Sequence, residues 1–243
     1  MILSNLESAA ATDIGLRETN QDRVFAKTGH ISDMPCGLFC VADGMGGLQD
    51  GEYAAAKAVE FLDNWWNGFF KENAPKGAEV LDSFFTLFKN INDAIRQHSN
   101  NKNIQCGTTC SLLMIQGQAY YIAHVGDSRI YQMEKKLLLP FVPVVSFVKS
   151  QQLTKDHSNN GRLTSCLGAF KKPGIFTGTG TVNKPCTFIL CSDGFYGAVS
   201  DKQLVRAARR LRNCSELANN LVTTALKQGS KDNVSVVAVR FQS

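Results

Sequence analysis

The stretch Gly37-Leu-Phe-Cys-Val-Ala-Asp43-Gly44-Met-Gly-Gly47 governs the reading of this chain, because Thr187-Phe-Ile-Leu-Cys-Ser-Asp193-Gly194 repeats its form. Each is a short, largely apolar run that stops at Asp-Gly, and each has a further glycine three residues on, Gly47 and Gly197. Such a run reads as a buried strand. Taken singly, Asp-Gly after a strand is an ordinary hairpin turn. Three further acids also stand at strand boundaries: Asp22 in Asn20-Gln-Asp22, Asp127 in Ala123-His-Val-Gly-Asp127-Ser-Arg, and Asp232 in Ser230-Lys-Asp232-Asn233-Val.

Working outward, the periodicity predicts strands over 9–14, 23–27 and 37–42. A helix is expected over 50–70, with Tyr53, Ala54, Ala58, Phe61, Leu62, Trp65 and Phe69 at helical spacing. A second is expected over 80–98, through Leu81, Phe84, Phe85, Phe88, Ile91 and Ile95. Pro75 and Gly77 break the chain between them, so the two helices should lie antiparallel, with their aromatic stripes packed into a core. A meander follows over 108–115, 119–124 and 129–133, then an irregular middle, a buried strand over 187–191, and helices over 201–211 and 215–227. In the last strand, 234–241, both alternating sets are mostly apolar, which predicts a central strand covered on both faces. Strands in hairpins together with paired helices predict an α+β layered fold, a single domain over 1–243.

Composition narrows the function classes. The 243 residues are 44% apolar with only 6 Pro, which excludes a disordered or Pro-rich linker protein. The longest apolar stretch, 137–148, contains Pro140 and Pro143 and is too short to span a bilayer, so no membrane association is expected. The start of the chain lacks the charged and apolar regions of a secretory signal. Cys36, Cys40, Cys106, Cys110, Cys186 and Cys191 sit in strand-like runs without a C-x-x-C, and they read as reduced, buried hydrophobes of a cytoplasmic protein. Arg206, Arg209, Arg210 and Arg212 crowd one helix; without interleaved aromatics they read as a solvated face, and no nucleic-acid partner is expected.

Five carboxylates gathered at one end of a sheet cannot all stay ionised without counter-charge, since like charges about 4 Å apart repel by several kcal/mol at intermediate dielectric. Divalent cations resolve this. An oxygen-only ligand set without His or Cys selects hard ions, Mg²⁺ or Mn²⁺. Gly44 after Asp43 lets backbone approach an ion closely.

Seven motifs then fall in order: Asp13-Ile-Gly-Leu-Arg17-Glu-Thr-Asn20-Gln-Asp22, Val41-Ala-Asp43-Gly44-Met-Gly-Gly47, Gly107-Thr-Thr109, Val125-Gly-Asp127-Ser-Arg129, Leu153-Thr-Lys-Asp156-His157-Ser, Cys191-Ser-Asp193-Gly194 and Lys231-Asp232-Asn233. Together they resemble the metal-dependent serine/threonine protein phosphatases of type 2C, in their bacterial form, over nearly the whole chain. The resemblance implies a four-layer α-β-β-α sandwich of two mainly antiparallel sheets flanked by helix pairs, with a two-metal centre at one edge. By position, Asp43 would bridge both ions with the Gly44 carbonyl on one. Asp193 and Asp232 would hold one ion, Asp22 would support the other through water, and Asp127 with Asp193 would form a weaker third site. Arg17 would clamp the phosphate, and Asn233 would orient a ligand or water.

The implied chemistry is attack of a bridging hydroxide on phosphoserine or phosphothreonine without a phosphoenzyme. The substrates would be proteins phosphorylated by a serine/threonine kinase, and the phosphatase would work as a monomer. Met45 stands where many relatives carry a histidine, so water on the metal is the expected acid, and His157 is expected to be structural. The family's flap subdomain is expected to be missing, because only Asn159, Asn160, Gly161 and Arg162 separate Ser158 from Leu163. The greasy 137–148 stretch is read as an extra buried strand pair or, alternatively, a docking patch. Two rival readings are a pseudophosphatase that binds phosphopeptides as a scaffold, and another two-metal hydrolase such as a phosphodiesterase or nuclease.

Overall fold

Alternating apolar residues form strands and apolar residues at helical spacing form helices in the computed structural model, which describes residues 5–46, 50–69, 75–137, 146–182, 185–211 and 213–242. The chain opens with β1 (Asn5–Asp13), β2 (Asp22–Ile31) and β3 (Met34–Gly46), followed by α1 (Asp50–Phe69) and α2 (Ala78–Lys102). Next come β4 (Cys106–Thr108), β5 (Cys110–Gln116), β6 (Ala119–Val125), β7 (Arg129–Leu137) and β8 (Ser146–Gln152). The short β9 (Ser158–Asn159) and β10 (Arg162–Leu163) precede β11 (Phe176–Thr181) and β12 (Cys186–Cys191). The chain finishes with α3 (Asp193–Tyr196), α4 (Asp201–Arg210), α5 (Cys214–Lys227) and β13 (Val234–Gln242).

One antiparallel sheet has the order β1-β13-β12-β7-β8; the other runs β11-β6-β5-β3-β2, with β4 paired to the end of β3. Three apolar layers hold them. Phe39, Val41, Leu113, Ile115, Phe188, Leu190, Val237 and Val239 fill the space between the sheets. The opposite faces of the same strands pack on helices: Leu38, Cys40, Leu112 and Met114 against α1 and α2, and Ile189, Cys191, Val236 and Ala238 against α3, α4 and α5. Helix, sheet, sheet and helix thus make four layers, and β13 is covered on both faces as its sequence predicts. Each fully buried Phe or Leu in these layers contributes roughly 1.5–3 kcal/mol. Reversed end-to-end contacts show that α1 and α2 are antiparallel: Tyr53 stacks on His98 at 3.6 Å, and Trp65 meets Phe84 at 5.2 Å.

Four differences from the sequence expectations have physical causes. The strand expected over 108–115 is cut at Thr109, whose N–H and hydroxyl are both bonded to the Asp43 main chain. β11, Phe-Thr-Gly-Thr-Gly-Thr, escaped notice because its small, half-exposed residues carry no apolar alternation. Asp193-Gly194 opens the short helix α3 instead of forming a hairpin turn, and Asp43-Gly44 lies within β3, which continues to Gly46. The flanks of the 137–148 stretch pair as β7 and β8, with Leu137 opposite Ser146. Residues 138–145 lie outside the described residues, and with them the docking role expected there. All eight cysteines are free and buried. No helix among the described residues is long and apolar enough to cross a membrane.

Candidate metal centre

The acids that the sequence places at strand ends converge at one edge of the sandwich. Asp22 on β2 stands directly opposite Asp43 on β3 in the strand register. Asp193 begins α3 where β12 stops, Asp232 precedes β13, and Asp127 sits between β6 and β7. Arg17, Asp43, Gly44, Asp127, Asp193 and Asp232 line one open cleft of about 990 Å³. Asp22 lies behind the cleft wall, 2% exposed.

Two glycines make the convergence possible. Gly15 is left-handed (φ 60°), and a Cβ there would sit 2.1 Å from the Asp232 carbonyl oxygen, so only glycine lets the Arg17 loop lie against Asp232. A Cβ on Gly44 would lie 2.1 Å from the Gly51 carbonyl oxygen, and the Gly44 N–H donates to the Gln21 carbonyl (3.2 Å). Asn233 fixes the same loop. Its Oδ1 accepts the Gln21 N–H (2.9 Å), and its Nδ2 donates to the Ile14 and Thr19 carbonyls (2.8 and 3.0 Å). The side-chain amide is therefore spent on backbone, which corrects the expectation that Asn233 orients a ligand or water.

Thr109 is the residue that sequence reasoning missed. Its N–H donates to the Asp43 carbonyl at 2.9 Å, and its Oγ1 accepts the Asp43 N–H at 2.9 Å. The Thr109 hydroxyl also shares a hydrogen bond with the Ser128 hydroxyl at 2.8 Å, beside Asp127. Thr109 and Ser128 are both buried. Only the Gly-Thr-Thr motif hinted at it, since a threonine in a strand is otherwise unremarked. Nearby, Arg129 is bidentate on Asp156, with Nη2 to Oδ2 at 2.7 Å, and stacks 3.6 Å over the Tyr196 ring. It ties the Asp127 turn to α3. His157 Nδ1 accepts the Gly126 N–H (3.3 Å) and the ring packs on buried His124, so His157 is structural as expected. Burial holds the His124 imidazole down at about 4.

Electrostatics mark the acids as a strained group. Burial pushes the Asp43 carboxyl well above the usual carboxylate range, and the charges of Asp22, Asp193, Asp127 and Asp232 push it further. Burial raises Asp22 to about 6 despite the hydrogen bond from Ser192 Oγ to its Oδ2 (2.8 Å). Asp127 is likewise pushed up to about 6, by burial and then Asp193. Asp193 is raised by burial and by Asp232. Arg17 answers part of this charge: Nε and Nη2 reach the two carboxylate oxygens of Asp232 at 2.8 and 2.6 Å.

The donor set suits a hard divalent cation. Every acid facing the cleft offers oxygen, and Asp22 Oδ1 is a buried oxygen with no hydrogen-bond partner among the described residues. No His lines the cleft among the described residues, and Cys166, which does, has its thiol raised by burial to about 11. No three Asp, Glu, His or Cys side chains among the described residues form a ready-made ion cage.

Comparison with known proteins follows the same lines. Residues 14–229 match the family model described as "Protein phosphatase 2C". The serine/threonine phosphatase stp of Listeria monocytogenes is 28% identical over 214 residues, covering 83% of each chain. The serine/threonine protein phosphatase PstP of Mycobacterium tuberculosis is 28% identical over 96% of this chain and 44% of its own length. Among solved structures, the catalytic domain of PstP in complex with two manganese ions superposes with a TM-score of 0.80 at 25% identity, over 99% of this chain and 100% of that one. Acids converging at one sheet edge, the α-β-β-α layers and these matches agree: the chain belongs to the protein phosphatase 2C family of magnesium- and manganese-using serine/threonine phosphatases.

Proposed function

We propose that this chain hydrolyses phosphoserine and phosphothreonine in proteins by in-line attack of water at a two-metal centre, without a phosphoenzyme. The observation that carries this reading is the convergence of Asp43, Asp127, Asp193 and Asp232 on one cleft with Arg17 at its wall. Two hard cations, when bound, supply Lewis acidity to the phosphoryl oxygens and ready a water for attack. Asp43, Asp193 and Asp232 would hold them with the Gly44 backbone, Asp127 with Asp193 would serve a third, weaker position, and Asp22 would support one ion through water. Arg17 presents a planar fork that already grips two oxygens of Asp232, and the same fork fits two phosphoryl oxygens. Met45, and no histidine among the described residues, lines the cleft beside Gly44, so the leaving alkoxide takes its proton from water.

Two further readings belong here. We read the family's flap as absent, supported by the tight β9–β10 hairpin at that point, whose tip residues Asn160 and Gly161 have φ of 50° and 72°. The eight free, buried cysteines support a reducing, cytoplasmic setting, where a serine/threonine kinase would supply the substrates. A binding-only scaffold gains no support, because none of the expected ligand acids is missing.

The test is release of phosphate from a phosphothreonine peptide with Mn²⁺ added and with Mn²⁺ chelated, for the wild type and Asp193→Asn. The reading predicts metal-dependent turnover that falls at least a hundredfold in the variant. Equal rates with and without metal would refute it.

A further inference from the structure

The cleft is acidic, yet the chain carries a formal charge of +5. Much of that excess sits on α4. Lys202, Arg206, Arg209 and Arg210 are all exposed there. None of the four is in an ion pair among the described residues. Lys202, Arg206 and Arg210 are spaced four apart, so they line up along one helix face.

Two surface depressions lie between the site and this face. The first, about 320 Å³, shares Arg17, Asp193 and Asp232 with the cleft and extends over Gly197 and Ala198. The second, about 330 Å³, begins at the next residue, Val199, and lies between α4 and α5 with Arg206 and Arg210 on its wall. Ala198 and Val199 are neighbours in the chain, so the two separate depressions mark a track along the segment that leads from the acidic reaction centre to the basic helix.

We propose that this track docks the substrate polypeptide: an acidic or multiply phosphorylated segment next to the scissile phosphoresidue leaves the cleft over Gly197 and Ala198 and ends against Arg206 and Arg210. The inference rests on the phosphatase reading and adds the class of sequence that is preferred. Guanidinium forks are the side chains best matched to carboxylate and phosphate oxygens, so an acidic flank finds its complement on α4. A single-stranded nucleic acid calls for aromatic stacking platforms, and α4 contains none. A bilayer calls for exposed apolar side chains, and α4 buries its leucine, Leu204.

The experiment compares the wild type with Arg206→Glu/Arg210→Glu on three substrates in Mn²⁺: an aryl phosphate, a phosphothreonine peptide with neutral flanks, and the same peptide with acidic flanks. The variant should turn over the aryl phosphate and the neutral peptide at wild-type rates, while KM for the acidic peptide rises about five- to tenfold and loses much of its salt dependence. Equal KM changes for acidic and neutral peptides, or none for either, would overturn the docking proposal. So would a variant that loses only binding to a labelled oligonucleotide, which would make the face a nucleic-acid surface. If the wild type hydrolyses none of the three, the phosphatase reading fails. Fluorescence anisotropy of the labelled acidic peptide then still decides the docking claim, which predicts tighter binding to the wild type than to the charge-reversed chain, and equal binding refutes it.

Discussion

Replacing Thr109 by Val removes one hydroxyl from the interior and keeps the side-chain shape. That hydroxyl accepts the Asp43 N–H at 2.9 Å and bonds Ser128 Oγ at 2.8 Å, with Thr109 1% exposed. The Asp43 N–H is then left buried without an acceptor, at a cost of about 1–3 kcal/mol, and the lost bond to Ser128 adds about 1 kcal/mol. For a domain of this size, each kcal/mol lowers the melting temperature by about 2–4 °C, so roughly 5–15 °C should be lost. The loss should appear in calorimetry of the chelated protein. Because the freed peptide belongs to Asp43, calorimetric titration should also show weaker Mn²⁺ binding, by about tenfold. Thr109→Ser keeps the hydroxyl and should recover most of the metal affinity. A Val variant that melts within a degree or two of wild type, or a Ser variant as weak for Mn²⁺ as Val, would refute the role given to this hydroxyl.

Acidity gives a second prediction. Asp22 and Asp127 titrate near 6 in the folded chain, against about 4 for an unfolded carboxylate, so the folded state holds more protons across that interval. Their contribution to stability is fully present below pH 4 and is lost as pH rises through 6. Chelated protein should therefore melt lower at pH 7 than at pH 5, and Mn²⁺ should abolish the difference; a chelated melting point that rises between pH 5 and 7 would contradict this. Arg17→Lys should lower kcat/KM on a phosphopeptide by about a hundredfold while leaving the melting temperature within about 4 °C, because the Arg17 side chain is 59% exposed and such pairs contribute about 1 kcal/mol or less. An unchanged kcat/KM would remove Arg17 from phosphate binding. Gly15→Ala should lower both stability and turnover, since its Cβ would collide with the Asp232 backbone at 2.1 Å; unaltered melting and turnover would show that the loop relaxes freely.

The layers were legible because burial on both faces leaves a mark in sequence. β3, β12 and β13 read as apolar at every alternate position, and both sets prove to be buried. The acids were legible because each stands at a strand boundary, Asp43 and Asp193 at the end of an apolar run. What escaped has a common cause: it depends on partners distant in sequence or on residues with little apolar signal. Thr109 looks like any strand threonine until Asp43, 66 positions away, supplies its partners. The pairing of Arg17 with Asp232 spans 215 positions. Asn233 resembles a ligand-facing polar residue, and only the folded 14–21 loop shows that its amide is already committed. β11 has too few apolar side chains to announce a strand.

Counting bound Mn²⁺ by electron paramagnetic resonance puts the central claim to trial without relying on turnover. Wild-type protein should hold two tightly bound ions per chain, while Asp43→Asn and Asp193→Asn should each lose at least one of them and remain folded by circular dichroism. Tight Mn²⁺ binding that survives in both folded variants would contradict the claim that these carboxylates form the metal centre.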